Sequence, residues 1–235
     1  MYEFFLYPAF IIAILVSLYA QIKVSTTFNK YSRVNTFRGK TAAETAQMIL
    51  SSNGLYDVRI ERVPGNLTDH YDPRSNVLRL SDSVYSSSSA AAVGVAAHEA
   101  GHAIQHAKGY LPIVLRSKLV PVTNFASRIS WIVILLGALM SFFAGLNDIG
   151  YLVIMAGIGL FSVTAVFQLV TLPCEFNASK RAKQQLLDLN IITDYELDES
   201  KTMLNAAALT YVAAVFTTLL QILRLALIVL RKSDD

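Results

Sequence analysis

The chain has 235 residues, of which 54% are hydrophobic and only 16% charged, and its mean hydropathy is +0.45. A soluble domain carries about 25% charged residues, and here the apolar residues gather into four long runs with the charges crowded between them. That pattern excludes a disordered chain and an ordinary soluble globule, and a lone Cys174 excludes a disulfide scaffold. A net charge of +3, scattered along the chain, gives no nucleic acid a reason to bind. The composition is that of a multi-pass membrane protein, with the lipid bilayer as its first partner.

The first apolar run, 4–22, holds no charged residue and is long enough to cross a hydrocarbon core as a helix. It reads as a retained anchor (domain 1–22). A cleaved signal would need a basic start and a shorter core, whereas Met1-Tyr2-Glu3 opens this chain. The polar stretch 23–118 reads as a small α+β unit. Thr41-Ala42-Ala43-Glu44 is a capping box that opens a helix, and Gly54 can end it. Val58, Ile60 and Val63 alternate loosely with charged residues as a strand would, Pro64-Gly65-Asn66 makes a turn, and Val77, Leu78 and Leu80 form a second strand. The serines at 86–89 supply N-caps for a long Ala-rich helix over 90–107.

Two further runs, 129–146 and 149–172, separated by Asn147-Asp148, predict a transmembrane hairpin within 119–172. A polar, helix-competent segment follows over 173–202, where Pro173 is expected at a helix start. A fourth run over 203–223 leads into the C-terminal part, 203–235. Basic residues orient the spans. Segment 23–118 carries twelve Lys and Arg, 174–202 carries four, and the loop at Asn147-Asp148 carries none. Both basic segments are therefore expected on the cytoplasmic face of the cell membrane. Arg224, Arg231 and Lys232 run against that rule if the fourth span crosses fully.

The chemistry is concentrated in His98-Glu99-Ala100-Gly101-His102, inside the Ala-rich helix. Two histidines four apart project from one helical face, so both imidazoles can meet one Zn²⁺ at about 2.0–2.1 Å. Glu99, one position on, is placed to act as general base on the attacking water, whose pKa such an ion lowers toward about 7. Ala100 and Gly101 leave that helix open to close approach. A catalytic zinc needs a third protein ligand. His106 continues the series but stands about 12 Å from His98 along the axis at 1.5 Å per residue, and reads as a surface residue or as one that supports a ligand without touching the metal. Glu175 follows a hairpin that returns the chain to the face of His98 and His102. On the residues alone it is equally a ligand or a carboxylate favoured at a helix N-terminus.

These residues together resemble the YugP-type neutral zinc metallopeptidases, bacterial membrane proteins distantly similar to the HtpX-type proteases. The resemblance rests on Asp69-His70-Tyr71-Asp72-Pro73, Leu78-Arg79-Leu80, 97–105 with its HExxH core, and 172–179 around Glu175, and it covers nearly the whole chain. It implies a mainly α membrane protein with about four transmembrane helices and a small α+β, gluzincin-like zinc-metallopeptidase unit carrying the HExxH helix. It implies one Zn²⁺ per chain on His98, His102 and Glu175, with Glu99 as base and a polypeptide as substrate. HtpX-like enzymes usually carry an aspartate four residues after the ligand glutamate; here Ser179 stands there. ATP-dependent FtsH-type proteases share the zinc motif but need a phosphate loop, and Val34 occupies the place of its first glycine. Site-2-type intramembrane proteases carry the zinc motif inside a span and a Leu-Asp-Gly motif, and both features are missing here.

His70 and Tyr71 precede the second strand. His70 is a candidate stabiliser of the oxyanion formed during peptide hydrolysis, with a plain turn histidine held by Asp69 or Asp72 as the other reading. The resemblance implies that the strand at 77–81 lies above the site and aligns substrate by β-augmentation, as in zinc peptidases of this type. Two functions remain in view: a zinc-dependent membrane endopeptidase, or a catalytically inactive zinc-stabilised scaffold. A fourth ligand, His70 or His106, would favour the scaffold. Neither substrate identity nor oligomeric state follows from the sequence.

Overall fold

The computed structural model describes residues 3–143 and 146–233. Six helices and three strands follow in the order α1 (Glu3–Tyr31), α2 (Ala42–Ser52), β1 (Arg59–Val63), β2 (His70–Asp72), β3 (Val77–Ser81), α3 (Ala90–Ala107), α4 (Leu111–Phe143), α5 (Asn147–Asp188) and α6 (Asp194–Ser233). Helices α1, α4, α5 and α6 are long and apolar enough to cross a membrane. All four outrun their apolar runs. Lys23 and Lys30 interrupt hydropathy but not helix propensity, so α1 continues to Tyr31. The side chains of Arg231 and Lys232 lie outside the described residues.

The chain divides into two compact units. One comprises Met1–Tyr19, Leu115–Thr171 and Tyr211–Asp235. Within it α4 and α5 form an antiparallel hairpin built on glycine. A Cβ on Gly137 would stand 2.8 Å from the Gly150 carbonyl oxygen, and one on Gly157 would stand 3.0 Å from the Ile134 amide nitrogen. Glycine at such positions lets the backbones of membrane helices approach each other. Trp131 meets Phe161 edge-on, and the Arg224 guanidinium lies over the Phe10 ring at 4.6 Å. Leu15, Phe125, Leu135, Leu152 and Leu219 are exposed on this unit, as side chains facing lipid would be.

The other unit comprises Ala20–Val114 and Leu172–Thr210. Its sheet has the order β1-β3-β2, with β3 parallel to β1 and antiparallel to β2. Leu78 and Leu80 are buried beneath Ile49, Leu50, Val84 and Val93 in a core that also takes Ala182, Leu186, Ile191 and Met203. The capping box at Thr41 forms in full, with the Thr41 side chain accepting from the Glu44 amide and the Glu44 carboxylate accepting from the Thr41 amide. Gly54 follows α2 at φ +74°, which glycine adopts without strain. Ser89 caps α3 through the Ala92 amide.

Three sequence expectations change. Residues 70–72 form a strand, β2, too short and polar to be read from pattern. β3 is the central strand with both edges paired, so it has no free edge for a substrate; the edge strand beside α3 is β2. Pro173 lies inside α5 instead of opening a helix. A proline in a helix interior costs about 3 kcal/mol, and what offsets it here is packing: Cys174, Ala178, Ala182 and Leu186 beyond it are all buried.

Candidate metal and active site

α3 carries His98 and His102 on one face, and α5 lies across that face because Gly101 lets it. A Cβ on Gly101 would stand 2.8 Å from the Ala178 carbonyl oxygen. The contact brings Glu175, one turn earlier on α5, onto both imidazoles. His98 Nε2 stands 3.1 Å from Glu175 Oε2, and His102 Nε2 stands 3.5 Å from the same oxygen. Such spacings match the edge of a tetrahedron of donors about 2.0–2.1 Å from a central zinc, which is roughly 3.3 Å. Among the described residues these three form the one group of His, Cys, Asp or Glu donors able to hold a metal ion. Two imidazoles and a carboxylate are a donor set zinc accepts, and three protein donors leave a position open. Glu175 is 1% exposed, and a carboxylate that far from water needs cationic or metallic company. Its position in mid-helix removes the reading as a helix N-terminal carboxylate.

Each of the two histidines has a supporting partner. His98 Nδ1 stands 3.1 Å from the Ser179 hydroxyl. Ser179, where HtpX-like enzymes carry aspartate, therefore still supports a histidine. His102 Nδ1 stands 3.0 Å from Gln105 Oε1. Glu99, next to His98 on α3, reaches β2, where its Oε2 accepts the Tyr71 amide proton at 2.9 Å. That bond fixes one carboxylate oxygen, Oε2, and leaves Oε1 outside it. It also shows which way β2 faces: the Tyr71 amide points away from β3 and toward α3.

Asp69 holds the chain entering β2. Its two oxygens accept from the Ser81 amide at 2.7 Å and the Ser81 hydroxyl at 3.0 Å. Burial pushes the Asp69 carboxyl up against these lowering bonds, and the nearby Glu99 charge adds to the rise. Asp72, at the other end of β2, is lowered to about 2, by the Ser75 hydroxyl first and the Arg74 amide next. It tightens the 72–76 turn, with Ser75 Oγ donating at 2.6 Å.

His70 does not join the group. It is exposed on β2; its Nδ1 stands 2.9 Å from the Thr68 carbonyl oxygen and its Nε2 3.5 Å from an Arg79 nitrogen. A carbonyl only accepts, so Nδ1 carries the proton and Nε2 faces the guanidinium as an acceptor. In that state the ring has no N–H left for an oxyanion. His106 is exposed at the end of α3, its ring centroid 6.2 Å from that of Tyr71. Sequence reasoning missed Gln105 and the Tyr71 amide. The signal for Gln105 was the one amide side chain in an alanine-rich helix, three residues after His102.

An HExxH helix whose two histidines meet a glutamate from a later helix defines the zinc-metallopeptidase class. The chain belongs to the family described as "Putative neutral zinc metallopeptidase", whose model matches residues 6–230. It is 48% identical over 225 residues to a Bacillus subtilis (strain 168) protein named "Putative membrane protease YugP", with 96% of each chain covered. No solved structure matches it.

Proposed function

We propose that the protein is a zinc-dependent membrane endopeptidase, with His98, His102 and Glu175 as ligands and Glu99 as general base. The observation that carries the reading is the meeting of those three donors beside a carboxylate already oriented by a backbone N–H. A bound Zn²⁺ would supply Lewis acidity, polarising the scissile carbonyl and acidifying the attacking water. Glu99 Oε1 takes the proton from that water and returns it to the leaving amine, while the Tyr71 amide keeps the carboxylate from rotating. The burial of Glu99 and Glu175, both under 10% exposed, keeps bulk water from competing for these contacts.

Glu99→Gln keeps the shape and loses the base. Purified Glu99→Gln should bind zinc as wild type does and cleave a peptide library about 10²–10⁴-fold more slowly. Cleavage at the wild-type rate would overturn the mechanism. The inactive-scaffold alternative requires a fourth protein ligand, and X-ray absorption at the zinc edge separates three protein donors from four. We place segments 23–118 and 174–202, and the site with them, on the cytoplasmic side, as their basic residues favour. A reporter fused at Asn147 should then read extracytoplasmic.

A further inference from the structure

Gln105 is entirely buried where α3 meets α5, although its side chain is polar. Burying an amide is unfavourable unless all its groups are paired, and Gln105 has a full set. Its Nε2 donates to the Cys174 carbonyl oxygen at 2.8 Å and to Asn177 Oδ1 at 3.0 Å. Asn177 Oδ1 in turn accepts from Arg181 Nε at 2.8 Å, which fixes the Asn177 amide as well. Because the Cys174 carbonyl only accepts, the Gln105 amide has one orientation. Its oxygen must be the atom facing His102 Nδ1, and that oxygen only accepts. His102 Nδ1 must therefore carry a proton, and its Nε2, facing Glu175, is left to present a lone pair.

We infer that Gln105 is a positioning residue that sets the tautomer and ring angle of His102 for metal binding. The inference rests on the zinc site proposed above. The same amide is tied to the Cys174 carbonyl, the peptide unit that leads into Glu175, so one side chain gauges both the histidine of α3 and the carboxylate of α5. Metal-ligating histidines generally give their second N–H to a fixed acceptor, and loss of that acceptor lowers metal affinity about 10–100-fold.

The test measures zinc affinity of the full-length protein in detergent by competition with a chromogenic chelator. Gln105→Leu, of similar bulk and without an acceptor, should bind zinc about 10–100-fold more weakly than wild type. Gln105→Glu keeps an oxygen toward His102 Nδ1 and, protonated, one O–H for the Cys174 carbonyl in place of the two Nε2 donations, and should recover part of that loss. A role confined to joining two helices would lower thermal stability in both variants without this order of zinc affinities. Zinc binding by Gln105→Leu within twofold of wild type, or no recovery in Gln105→Glu, overturns the inference. Should Gln105→Leu fail to fold, histidine ¹⁵N spectra of the zinc-loaded wild type decide. His102 must coordinate through Nε2 with Nδ1 protonated, and the reverse arrangement overturns the inference. A wild-type protein that binds no zinc sinks the site itself, a separate result.

Discussion

Gly101 touches the backbone of Ala178, with no room for a methyl group between them: a Cβ there would meet the Ala178 carbonyl oxygen at 2.8 Å. The obstacle is backbone, which cannot swing aside as a flexible side chain can. Gly94, two turns earlier on the same helix, is different. A Cβ there would meet Ser200 at 3.5 Å, ordinary contact. The glycine inside the zinc motif therefore sets the distance between α3 and α5.

The two glycines make a matched pair. Gly101→Ala should destabilise the protein by about 1–3 kcal/mol through overpacking and lower zinc affinity as Glu175 is pushed from the histidines. Gly94→Ala should be neutral or stabilising by up to about 1 kcal/mol, since alanine is the better helix former. Thermal melting and zinc titration of both variants check this; equal behaviour would mean that α3 and α5 are not gauged by Gly101.

Removal of His70 is predicted to matter little. Its ring is engaged by the Thr68 carbonyl and faces Arg79, so His70→Ala should keep zinc affinity and stay within about threefold of wild-type cleavage. Loss of an oxyanion donor costs about 10²–10³ in kcat. A loss of that size in steady-state kinetics would return His70 to the catalytic machinery.

The acid limb of stability contains a contribution from Asp72. Its carboxyl is lowered from the ordinary value near 3.8 to about 2 by the Ser75 and Arg74 hydrogen bonds. Between those values the unfolded chain binds more protons at this position than the native one, so stability rises with pH there. The contribution is present above about pH 3.8 and disappears as pH falls through 2. Asp72→Asn should lower the melting temperature at pH 5 and flatten its slope between pH 4 and 2. A slope identical to wild type would remove Asp72 from that limb.

What the sequence discloses is what is local. The HExxH histidines are four residues apart, so helical period alone puts them on one face, and Ser89 and Thr41 cap their helices through bonds that span three residues. What it hides is set by distant packing. β2 is three residues long and exists because β3 pairs with it. Pro173 reads as a helix start because its ring blocks a helical bond, and only the burial of Ala178, Ala182 and Leu186 beyond it shows why α5 runs on. Gln105 meets Cys174 and Asn177 across 69 and 72 residues of chain, and no spacing rule reaches that far.

The proposed third ligand, Glu175, lies 77 residues from His98 in the chain and is the place where topology and chemistry test each other. Glu175 supplies the only carboxylate in the donor group found among the described residues. Glu175→Gln replaces it with a neutral amide of the same shape. Zinc affinity should fall by more than the roughly 10–100-fold that loss of an outer partner costs, and cleavage should disappear with it. His106→Ala should leave zinc stoichiometry near one, because His106 is exposed at the end of α3 and its ring contact is with Tyr71. Both variants can be measured by metal analysis after dialysis against a weak chelator. Retention of zinc by Glu175→Gln together with its loss from His106→Ala would invert the assignment. The hairpin of α4 and α5 would then have no part in carrying a ligand to the site.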